Sequence, residues 1–536
     1  MSNSQDSPKQ YDIAVVGGGI GGLCLAVGLL RNNIPIQVYE AAPAFAEIGA
    51  GVAFGSNATR AMSLIDPAIK SGFDKRATNN GFDEKRKYWF DFRYGQEKGS
   101  EDRVGKLIYK LESPAGQSSV HRAHFLDELV KLVPDGVAKF GKRLEHVDDK
   151  GDHVVLHFHD GSTAKHSAVI GCDGIKSRIR QIVLGEQHPA AHAVFTKKYA
   201  YRGLIPMDQA ARLLGDELAR NSQMYLGYHG HVLTFPIENG KTMNVVAFQT
   251  KHDGKWEQDA WVVPMKKEDM FKDFEGWGKH VRDILSLMQK PDVWALFDHP
   301  PAPTYTKGRV CLLGDAAHAS TPHQGSGAGM AIEDAYVLSS LLGEISKPEE
   351  LESVFKAYDT SRRGRTQKLV TTSREAGQLY EFELPGVGDD LEKFRENIKH
   401  RMTWIWTADL QGQLNEAKKS LKERANLMRH QRITSKCASR EIFGTQHDST
   451  STTSTLRDQF SSIDTPRQQL QWPNQRTRPS ITSRRRRTGT GTIFDPSIPP
   501  LHDSSQRSPN EFEIQGSTDM MDSEEPRGMQ LTRRQQ

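Results

Sequence analysis

Three glycines near the start of the chain have the spacing of a phosphate-binding turn. Gly17, Gly19 and Gly22 fit the pattern G-x-G-x-x-G within AVVGGGIGGLCLAVGLL, between an apolar run and a helical pattern. In such a turn the first glycine permits the bend, the second lets the backbone approach a pyrophosphate, and the third lets helix and strand pack closely. The N-terminus of the following helix presents unpaired N–H groups to phosphates. A tight turn alone would also use glycine, but the ordered spacing favours dinucleotide binding.

A carboxylate further along the chain is expected to complete this site. Glu40 ends the predicted strand IPIQVYE, where its carboxylate can accept hydrogen bonds from a ribose. The alternative is a solvated residue at a strand end. This pattern by itself does not separate FAD from NAD.

A second glycine-rich stretch, GDAAHASTPHQGSGAGMAIEDA, follows a buried strand in the second half of the chain. Asp315 stands where that strand ends, and Gly325, Gly327 and Gly329 precede a helical pattern. Alone, these glycines would indicate an ordinary loop and helix start. Together with the first turn they would clamp a long ligand from both ends. A flavin dinucleotide stays bound through turnover and has use for both turns, so we predict FAD as the bound cofactor.

The elements that must position these residues alternate between strand and helix. A short strand over 11–16, a helix over 20–32 and a strand over 34–40 form a βαβ unit, which implies a parallel sheet with a right-handed crossover. Two strands around an Asp-Gly turn precede a buried strand over 168–171. Repeated β patterns over 198–248 then predict a second, mostly antiparallel sheet. After it the chain returns to a buried strand and a long helix.

This order predicts an α/β fold in four parts. We expect the first part of a Rossmann-like FAD-binding domain over 1–195 and an inserted β-sheet substrate domain over 196–300. The second part of the FAD-binding domain, with C-terminal helices, is expected over 301–434. Residues 435–536 are rich in Ser, Thr, Arg, Gln and Pro, and a segment with so few apolar residues cannot offset its ordering entropy. We therefore predict a disordered tail.

The overall composition restricts the class of protein. The 536 residues include 71 basic and 67 acidic side chains, a balance that gives no reason to expect nucleic acid as a partner. Four dispersed cysteines follow no metal-binding spacing and indicate reduced thiols. The first ten residues are polar, and no apolar run reaches the roughly 18 residues of a membrane span. We predict a cytoplasmic protein without a signal peptide, an integral membrane segment or a metal site.

Three motifs together resemble a known family. They are GGGIGG with Glu40, GCDGIKSRIR over 171–180, and GDAAHASTPHQGSGAGMAIEDA over 314–335. Their order and separations resemble the class A FAD-dependent aromatic hydroxylases, and within them the salicylate hydroxylase-like group, which includes fungal enzymes acting on polyketide-derived phenols. The resemblance covers roughly residues 11–410. The motifs are specific for the family and weak for the substrate.

The resemblance implies roles for the residues that match the family's motifs. Glu40 would bind the ribose of the adenosine half, Asp315 would bind the ribityl chain, and Ala53 would lie against the flavin. Arg122 would contact FAD, with a surface cation at a helix start as the alternative reading. The backbone around Ala328 would reach the edge of the flavin ring.

Asp173, in the second motif, would connect the FAD site with the path of the nicotinamide. The alternative is a loop Asp that caps the helix at Ile175. The group has no separate NAD(P)H domain, so we expect no second complete Rossmann unit.

The implied reaction has two halves. NAD(P)H reduces FAD, and the reduced flavin binds O₂ as a C4a-hydroperoxide whose terminal oxygen passes to a phenol ring. The protein supplies orientation, water exclusion and electrostatics. Because a phenolate is more electron-rich than a phenol, a cation that lowers the pKa of the substrate hydroxyl would favour the reaction. The resemblance therefore implies an FAD-dependent monooxygenase of secondary metabolism and leaves decarboxylation or dearomatisation open.

Arg202, in AYRGLIP, is the predicted source of that positive charge. In related fungal dearomatising hydroxylases an Arg in a similar context holds the substrate phenolate. The alternative is an Arg at a strand edge, paired at the surface. We take Arg202 as the first predicted catalytic residue.

Tyr225 is the second predicted catalytic residue, because it lies on the next β element, in MYLGYHGHVLTFPI. Tyr225 or Tyr228 would hydrogen-bond substrate oxygens, although each alone more often packs in a core or wall. Phe235 replaces a Tyr that often precedes Pro-Ile in this group. His318 and His323 flank Pro322 near the second turn, where a general base and a His bonded to the backbone are both open readings.

Two other functions stay open at this point. An FAD oxidase or dehydrogenase would remove hydride from its substrate without NAD(P)H. A non-catalytic FAD-binding protein would use its tail to recruit partners. The monooxygenase hypothesis predicts a small aromatic substrate, NAD(P)H and O₂ as partners. The sequence does not indicate the oligomeric state.

Overall fold

The computed structural model describes residues 9–45, 51–96, 101–251, 253–264, 266–289 and 291–444. The strands are β1 (Ile13–Val16), β2 (Ile36–Tyr39), β3 (Gly51–Ala53), β4 (Thr78–Asn79), β5 (Tyr88–Tyr94), β6 (Leu107–Glu112), β7 (Ser118–His121), β8 (Ala138–Lys139), β9 (Leu144–Asp149), β10 (Val154–Phe158), β11 (Thr163–His166), β12 (Ala168–Gly171), β13 (Val194–Pro206), β14 (Gln223–Gly227), β15 (Gly230–Ile237), β16 (Thr242–Thr250), β17 (Val262–Pro264), β18 (Asp292–Asp298), β19 (Thr306–Lys307) and β20 (Val310–Leu312).

The helices are α1 (Ile20–Arg31), α2 (Ser56–Ile65), α3 (Pro67–Arg76), α4 (Arg122–Val130), α5 (Arg178–Leu184), α6 (Met207–Leu214), α7 (Asp216–Ala219), α8 (Lys267–Asp273), α9 (Lys279–Leu287), α10 (Asp315–His318), α11 (Gly327–Gly343), α12 (Leu351–Tyr380), α13 (Leu391–Arg401), α14 (Thr403–Trp406) and α15 (Leu410–Gly444).

A six-stranded sheet of order β19-β20-β12-β1-β2-β8 carries the glycine turn. All its neighbouring strands are parallel except β19, which is antiparallel to β20. Strands β1 and β12 are buried at every residue, as expected for a parallel sheet covered on both faces. The carboxyl ends of β1, β2 and β20 therefore meet at one edge of the sheet.

An eight-stranded sheet of order β17-β18-β13-β16-β15-β14-β5-β6 stands beside it. Its pairs are antiparallel except for the parallel pair of β14 with β5. Because side chains alternate along a strand, the sheet has two faces. On one face Tyr201, Tyr225 and Val245 pack against α8 and α9. On the other face Phe235, Val246 and Phe248 pack towards α11, α12, α13 and α14.

Most elements predicted from the sequence are present. The βαβ unit, the strand over 168–171 and the antiparallel sheet are all observed. Strands β5 and β6 also belong to that sheet although they precede residue 196, because the chain crosses to it once before the long insertion. The predicted boundaries at 195/196 and 300/301 stay predictions.

The C-terminal part of the described chain is helical. Helix α15 continues to Gly444, so the predicted unstructured tail does not begin at residue 435. Residues 445–536 lie outside the described residues. Within the part of the chain that the structure describes, every helix is too short or too polar to cross a bilayer.

Candidate active site

The first glycine turn connects β1 to α1 and leaves no room for side chains. Gly17 has a φ of +106°, and a Cβ there would overlap the carbonyl oxygen of Cys172 on the neighbouring strand end. A Cβ on Gly22 would overlap the carbonyl oxygen of Gly17. Gly19 is the N-cap of α1 and offers no side chain to its first N–H groups. These N–H groups are open to an anionic ligand.

The carboxylate of Glu40 lies directly against this turn. Its Oε2 accepts a hydrogen bond from the N–H of Gly18 at 2.7 Å, and its Oε1 accepts one from Ala42 at 2.8 Å. A carboxylate has about four acceptor positions, so it retains capacity for ribose hydroxyls. The structure therefore brings Glu40 to the glycine turn, as the sequence predicted.

Asp315 begins α10 immediately after β20, and its side chain is exposed. The packing of α1 on α11 holds this second turn close to the first. A Cβ added to Gly21 would lie 3.2 Å from the Cβ of Ala331 on α11 and 3.3 Å from Leu313. The two glycine-rich turns thus border one region at the edge of the parallel sheet.

A buried ionic network fixes the turn that carries Asp315. Asp334 on α11 accepts from Gly314 N at 3.3 Å, contacts His318 Nε2 at 2.6 Å and pairs with Arg362 Nε at 2.7 Å. Burial alone would raise the pKa of Asp334, but His318 and Arg362 lower it to about 2. Arg362 also pairs with Glu333 at 2.8 Å. Arg362 could not be predicted from the sequence, because one Arg in a long helical pattern has no local signature.

Arg180, from the second motif, holds the other end of α10. Its guanidinium is buried and donates to the carbonyl oxygens of Ala190, Pro300, Ala316 and Ala317 at 2.6 to 3.1 Å. Four carbonyl acceptors around one guanidinium tie α5 to the short helix that begins with Asp315. Arg180 therefore positions the cofactor site.

Asp173 lies at the N-terminal end of α5. Its Oδ1 accepts from the Ser177 hydroxyl at 2.6 Å, and its Oδ2 accepts from the N–H groups of Arg178 and Ile179 at 2.8 and 3.1 Å. Asp173 therefore caps a helix, as in the alternative reading. The helix begins at Arg178, three residues after the predicted start at Ile175. A link from Asp173 to the nicotinamide path stays a prediction.

The N-terminus of α11 faces the same region as β3. Gly325 has a φ of +56°, and a Cβ there would lie 3.8 Å from Trp89 and 4.0 Å from the Cβ of Ala53. Ala328, half-buried in the first turn of α11, follows three residues later. The first N–H groups of this helix have no partner within the helix. Two glycine cradles, two helix N-termini and an exposed Asp fit the phosphates and sugar chain of FAD.

The face of the eight-stranded sheet that carries Arg202 is here called the Arg202 face. Arg202 lies in the middle of β13, and its guanidinium is 4.7 Å from the ring centre of Trp294. Its Nε is buried and has no hydrogen-bond partner among the described residues. Burial, followed by the positive charge of Arg122, lowers the pKa of Arg202 to about 10. Arg202 stays positively charged near neutral pH, and Arg122 at the start of α4 is its electrostatic neighbour.

The Arg202 face contacts β3, which also borders Gly325. Asn244 Oδ1 accepts a hydrogen bond from Gly51 N at 3.0 Å. A Cβ on Gly51 would lie 2.6 Å from the ring of Phe235 and 3.0 Å from the side chain of Asn244. Strand β3 therefore borders both regions, because its first residue touches the Arg202 face and its last residue approaches the second glycine turn.

The comparisons with known proteins agree with this geometry. Residues 287–373 match a family described as an FAD binding domain. The chain is 47% identical to 6-methylsalicylate 1-monooxygenase of Aspergillus terreus, over 76% of this chain and 92% of that protein. It is 41% identical to a salicylate hydroxylase of Pseudomonas putida, over 76% of this chain and 95% of that protein. A solved salicylate hydroxylase substrate complex superposes with a TM-score of 0.69 at 38% identity, over 77% and 98% of the two chains.

This chain belongs to the salicylate hydroxylase-like FAD-dependent monooxygenases. The predicted family, fold class, enzyme class and FAD cofactor are thereby confirmed. A non-catalytic role for the FAD-binding fold is excluded by the same finding.

Tyr225 does not lie in the active site of this monooxygenase. It packs on the helix-covered face, opposite to Arg202, and its hydroxyl is buried without a hydrogen-bond partner among the described residues. Burial raises the pKa of Tyr225 above its usual value. The predicted catalytic role of Tyr225 is therefore corrected to a packing role. Tyr228, at the end of the same hairpin, donates to Asp389 at 2.6 Å.

The monooxygenase also contains two histidines in its buried core beside the second turn. His323 packs between Phe248 and His231, with ring centres 4.9 and 5.2 Å apart, and both its ring nitrogens lack partners among the described residues. His231 Nδ1 lies 3.1 Å from Glu381, which also pairs with Lys198. Burial lowers the pKa of both histidines. The predicted bond from a loop His to the backbone is absent for His323, and His318 is held by a carboxylate.

Proposed function

We propose that this monooxygenase hydroxylates a small phenolic carboxylic acid of the salicylate type, using NAD(P)H and O₂. The observation that carries the proposal is the buried Nε of Arg202, which lies by the ring of Trp294 and has no hydrogen-bond partner in the described part of the chain. A buried donor of a cationic side chain is costly when it has no partner, as here among the described residues, and an anionic aromatic ligand would supply that partner. Similarity to a 6-methylsalicylate monooxygenase and to salicylate hydroxylases supports the same substrate class.

The side chains around Arg202 have separate tasks. The guanidinium binds the carboxylate and orients the ring, and its positive charge lowers the pKa of a neighbouring phenol. Phe235 and Val246 on the same face are buried and apolar, so they exclude water from the aromatic ring. Bound FAD would accept hydride from NAD(P)H and activate O₂. Glu40, Asp315 and the two glycine turns would hold it in place.

We further propose that oxygen replaces the carboxyl group. One relative is named a 1-monooxygenase of 6-methylsalicylate, and carbon 1 of a salicylate bears the carboxyl group. The phenolic acid, NAD(P)H, one proton and O₂ would give a diphenol, CO₂, NAD(P)⁺ and water. The bond from ring to carboxyl breaks, a bond from ring to oxygen forms, and NAD(P)H supplies two electrons.

The test is turnover of purified protein with a panel of phenolic acids. We expect NAD(P)H oxidation that depends on the acid, and a product heavier by one oxygen and lighter by CO₂. A hydroxylated product that retains the carboxyl group would refute replacement of that group and would still support hydroxylation of the ring. Substrate oxidation without NAD(P)H would favour the oxidase hypothesis instead. A cytoplasmic location stays a prediction from the sequence.

A further inference from the structure

A second unpaired donor lies on the Arg202 face. Asn244 is only 2% exposed, and its Nδ2 has no hydrogen-bond partner among the described residues. The bond from Gly51 N identifies the oxygen of the amide as Oδ1, so the unpaired atom is the NH₂ group. A buried amide NH₂ without a partner costs free energy, which a ligand acceptor would recover.

The register of the sheet places Asn244 beside Arg202. Arg202 is opposite Val246, and Asn244 is two residues from Val246 on the same strand and the same face. Such diagonal neighbours lie about 7–8 Å apart in a sheet, a separation that one aromatic ring can bridge. Phe235, directly opposite Asn244, provides no hydrogen-bonding group. Two buried donors therefore flank the position of the proposed aromatic substrate.

We propose that Asn244 recognises the substrate by donating a hydrogen bond from Nδ2 to the phenolic oxygen, while Arg202 holds the carboxylate. This inference rests on the proposed function and adds a specificity-determining residue to it. The enzyme thereby selects hydroxybenzoic acids over benzoic acids without the ring oxygen. The same amide holds β3 through Gly51, so substrate recognition and the position of β3 share one side chain.

The test compares the binding of salicylate and benzoate to the FAD-loaded protein without NAD(P)H, followed by the change in flavin absorbance. In Asn244→Leu we expect the preference for salicylate over benzoate to fall by about tenfold or more. Asn244→Asp keeps an acceptor for Gly51 N but lacks the NH₂ donor, so it should keep its FAD and bind salicylate more weakly. Gln249→Leu is the matched control, because Gln249 lies on the same strand and donates to Asp273 away from the Arg202 face. Its ligand preference should equal that of the wild type.

Three results separate failure of this inference from failure of the proposed function. An unchanged salicylate preference in Asn244→Leu and Asn244→Asp, with FAD bound, would overturn the role of Asn244 alone. Equal weakening of both ligands together with loss of FAD would show that Asn244 only holds β3, which also overturns the inference. Wild-type protein that binds FAD but neither acid would overturn the proposed function, and the inference with it.

Discussion

The buried guanidinium groups beside the cofactor site and on the Arg202 face differ in how completely they are paired among the described residues. Around the cofactor site, Asp334, Glu333 and Arg362 satisfy one another, and Arg180 is bonded to four carbonyl groups. On the Arg202 face, Arg202 and Asn244 each retain a buried donor that has no partner among the residues that the structure describes. A fully paired network rigidifies a site, whereas unpaired donors await a ligand. From this difference we expect FAD to stay bound at the cofactor site and the substrate on the Arg202 face to exchange at each turnover.

The largest effect is expected from removing the centre of the paired network. Arg362→Leu leaves the Glu333 and Asp334 carboxylates buried without their shared cation, which should lower the free energy of unfolding by about 3–5 kcal/mol. Denaturant unfolding measures this loss. Arg363→Leu is the matched control, since its partially exposed pair with Asp359 should contribute about 1 kcal/mol or less. Equal losses in the two variants would contradict the importance of the buried network.

Replacement of the first glycine should separate cofactor binding from the rest of the fold. In Gly17→Ala the added Cβ meets the Cys172 carbonyl at a positive φ, so we expect severalfold less FAD per protein by absorbance. Gly364→Ala in α12 is the control, because no atom lies within 4 Å of its added Cβ. That helix should be unchanged or slightly stabilised. Full FAD content in Gly17→Ala would refute the assignment of this turn.

Acid should weaken the paired regions over a defined pH range. Burial opposes ionisation of Asp334 and Glu381, but their cationic partners hold both pKa values at about 2, below the ordinary 3.8 and 4.5. Groups with a depressed folded pKa stabilise the protein fully above pH 4.5 and lose that contribution as the pH falls towards 2. We expect the free energy of unfolding to decrease by about 2–3 kcal/mol per group over this range. Glu381→Gln should show a shallower pH slope, and an unchanged slope would contradict the role of Glu381.

The smallest effect is expected on the helix-covered face of the same sheet. Tyr225→Phe removes a buried hydroxyl that has no partner within the described ranges, so stability should change by less than about 1 kcal/mol, in either direction. Because Tyr225 faces away from Arg202, kcat/KM for the phenolic acid should stay within about twofold. A loss of a hundredfold in steady-state kinetics would restore the catalytic role predicted from the sequence.

The features predicted correctly are those that the backbone dictates locally. The position of Glu40 and Asp315 beside the glycine turns could be predicted because a phosphate-binding turn needs particular residue types at fixed spacing; their roles toward the cofactor stay predictions. Side chains alternate between the two faces along a strand. This alternation places Tyr225 and Arg202 on opposite faces of the sheet only when the register of β13, β16, β15 and β14 is known. That register depends on long-range pairing.

Other functional residues have no local pattern at all. Asn244 is a polar residue within the otherwise apolar run MNVVAF, and its position beside Arg202 follows from pairing between β13 and β16. Strands β5 and β6 join the large sheet from far upstream, next to β14. Arg362 contacts Glu333 and Asp334 only because α12 packs against α11. In each case tertiary contacts decide the role.

The most direct test of the central claim is a titration of FAD-loaded Arg202→Leu with a phenolic acid, next to the wild type. If the cofactor site and the Arg202 face act as described, the variant keeps its full FAD content and its flavin absorbance no longer responds to the acid. The wild type responds with a saturating change. Loss of FAD in the variant, or a response of the variant to the acid equal to that of the wild type, would contradict the assignment of Arg202 to substrate binding.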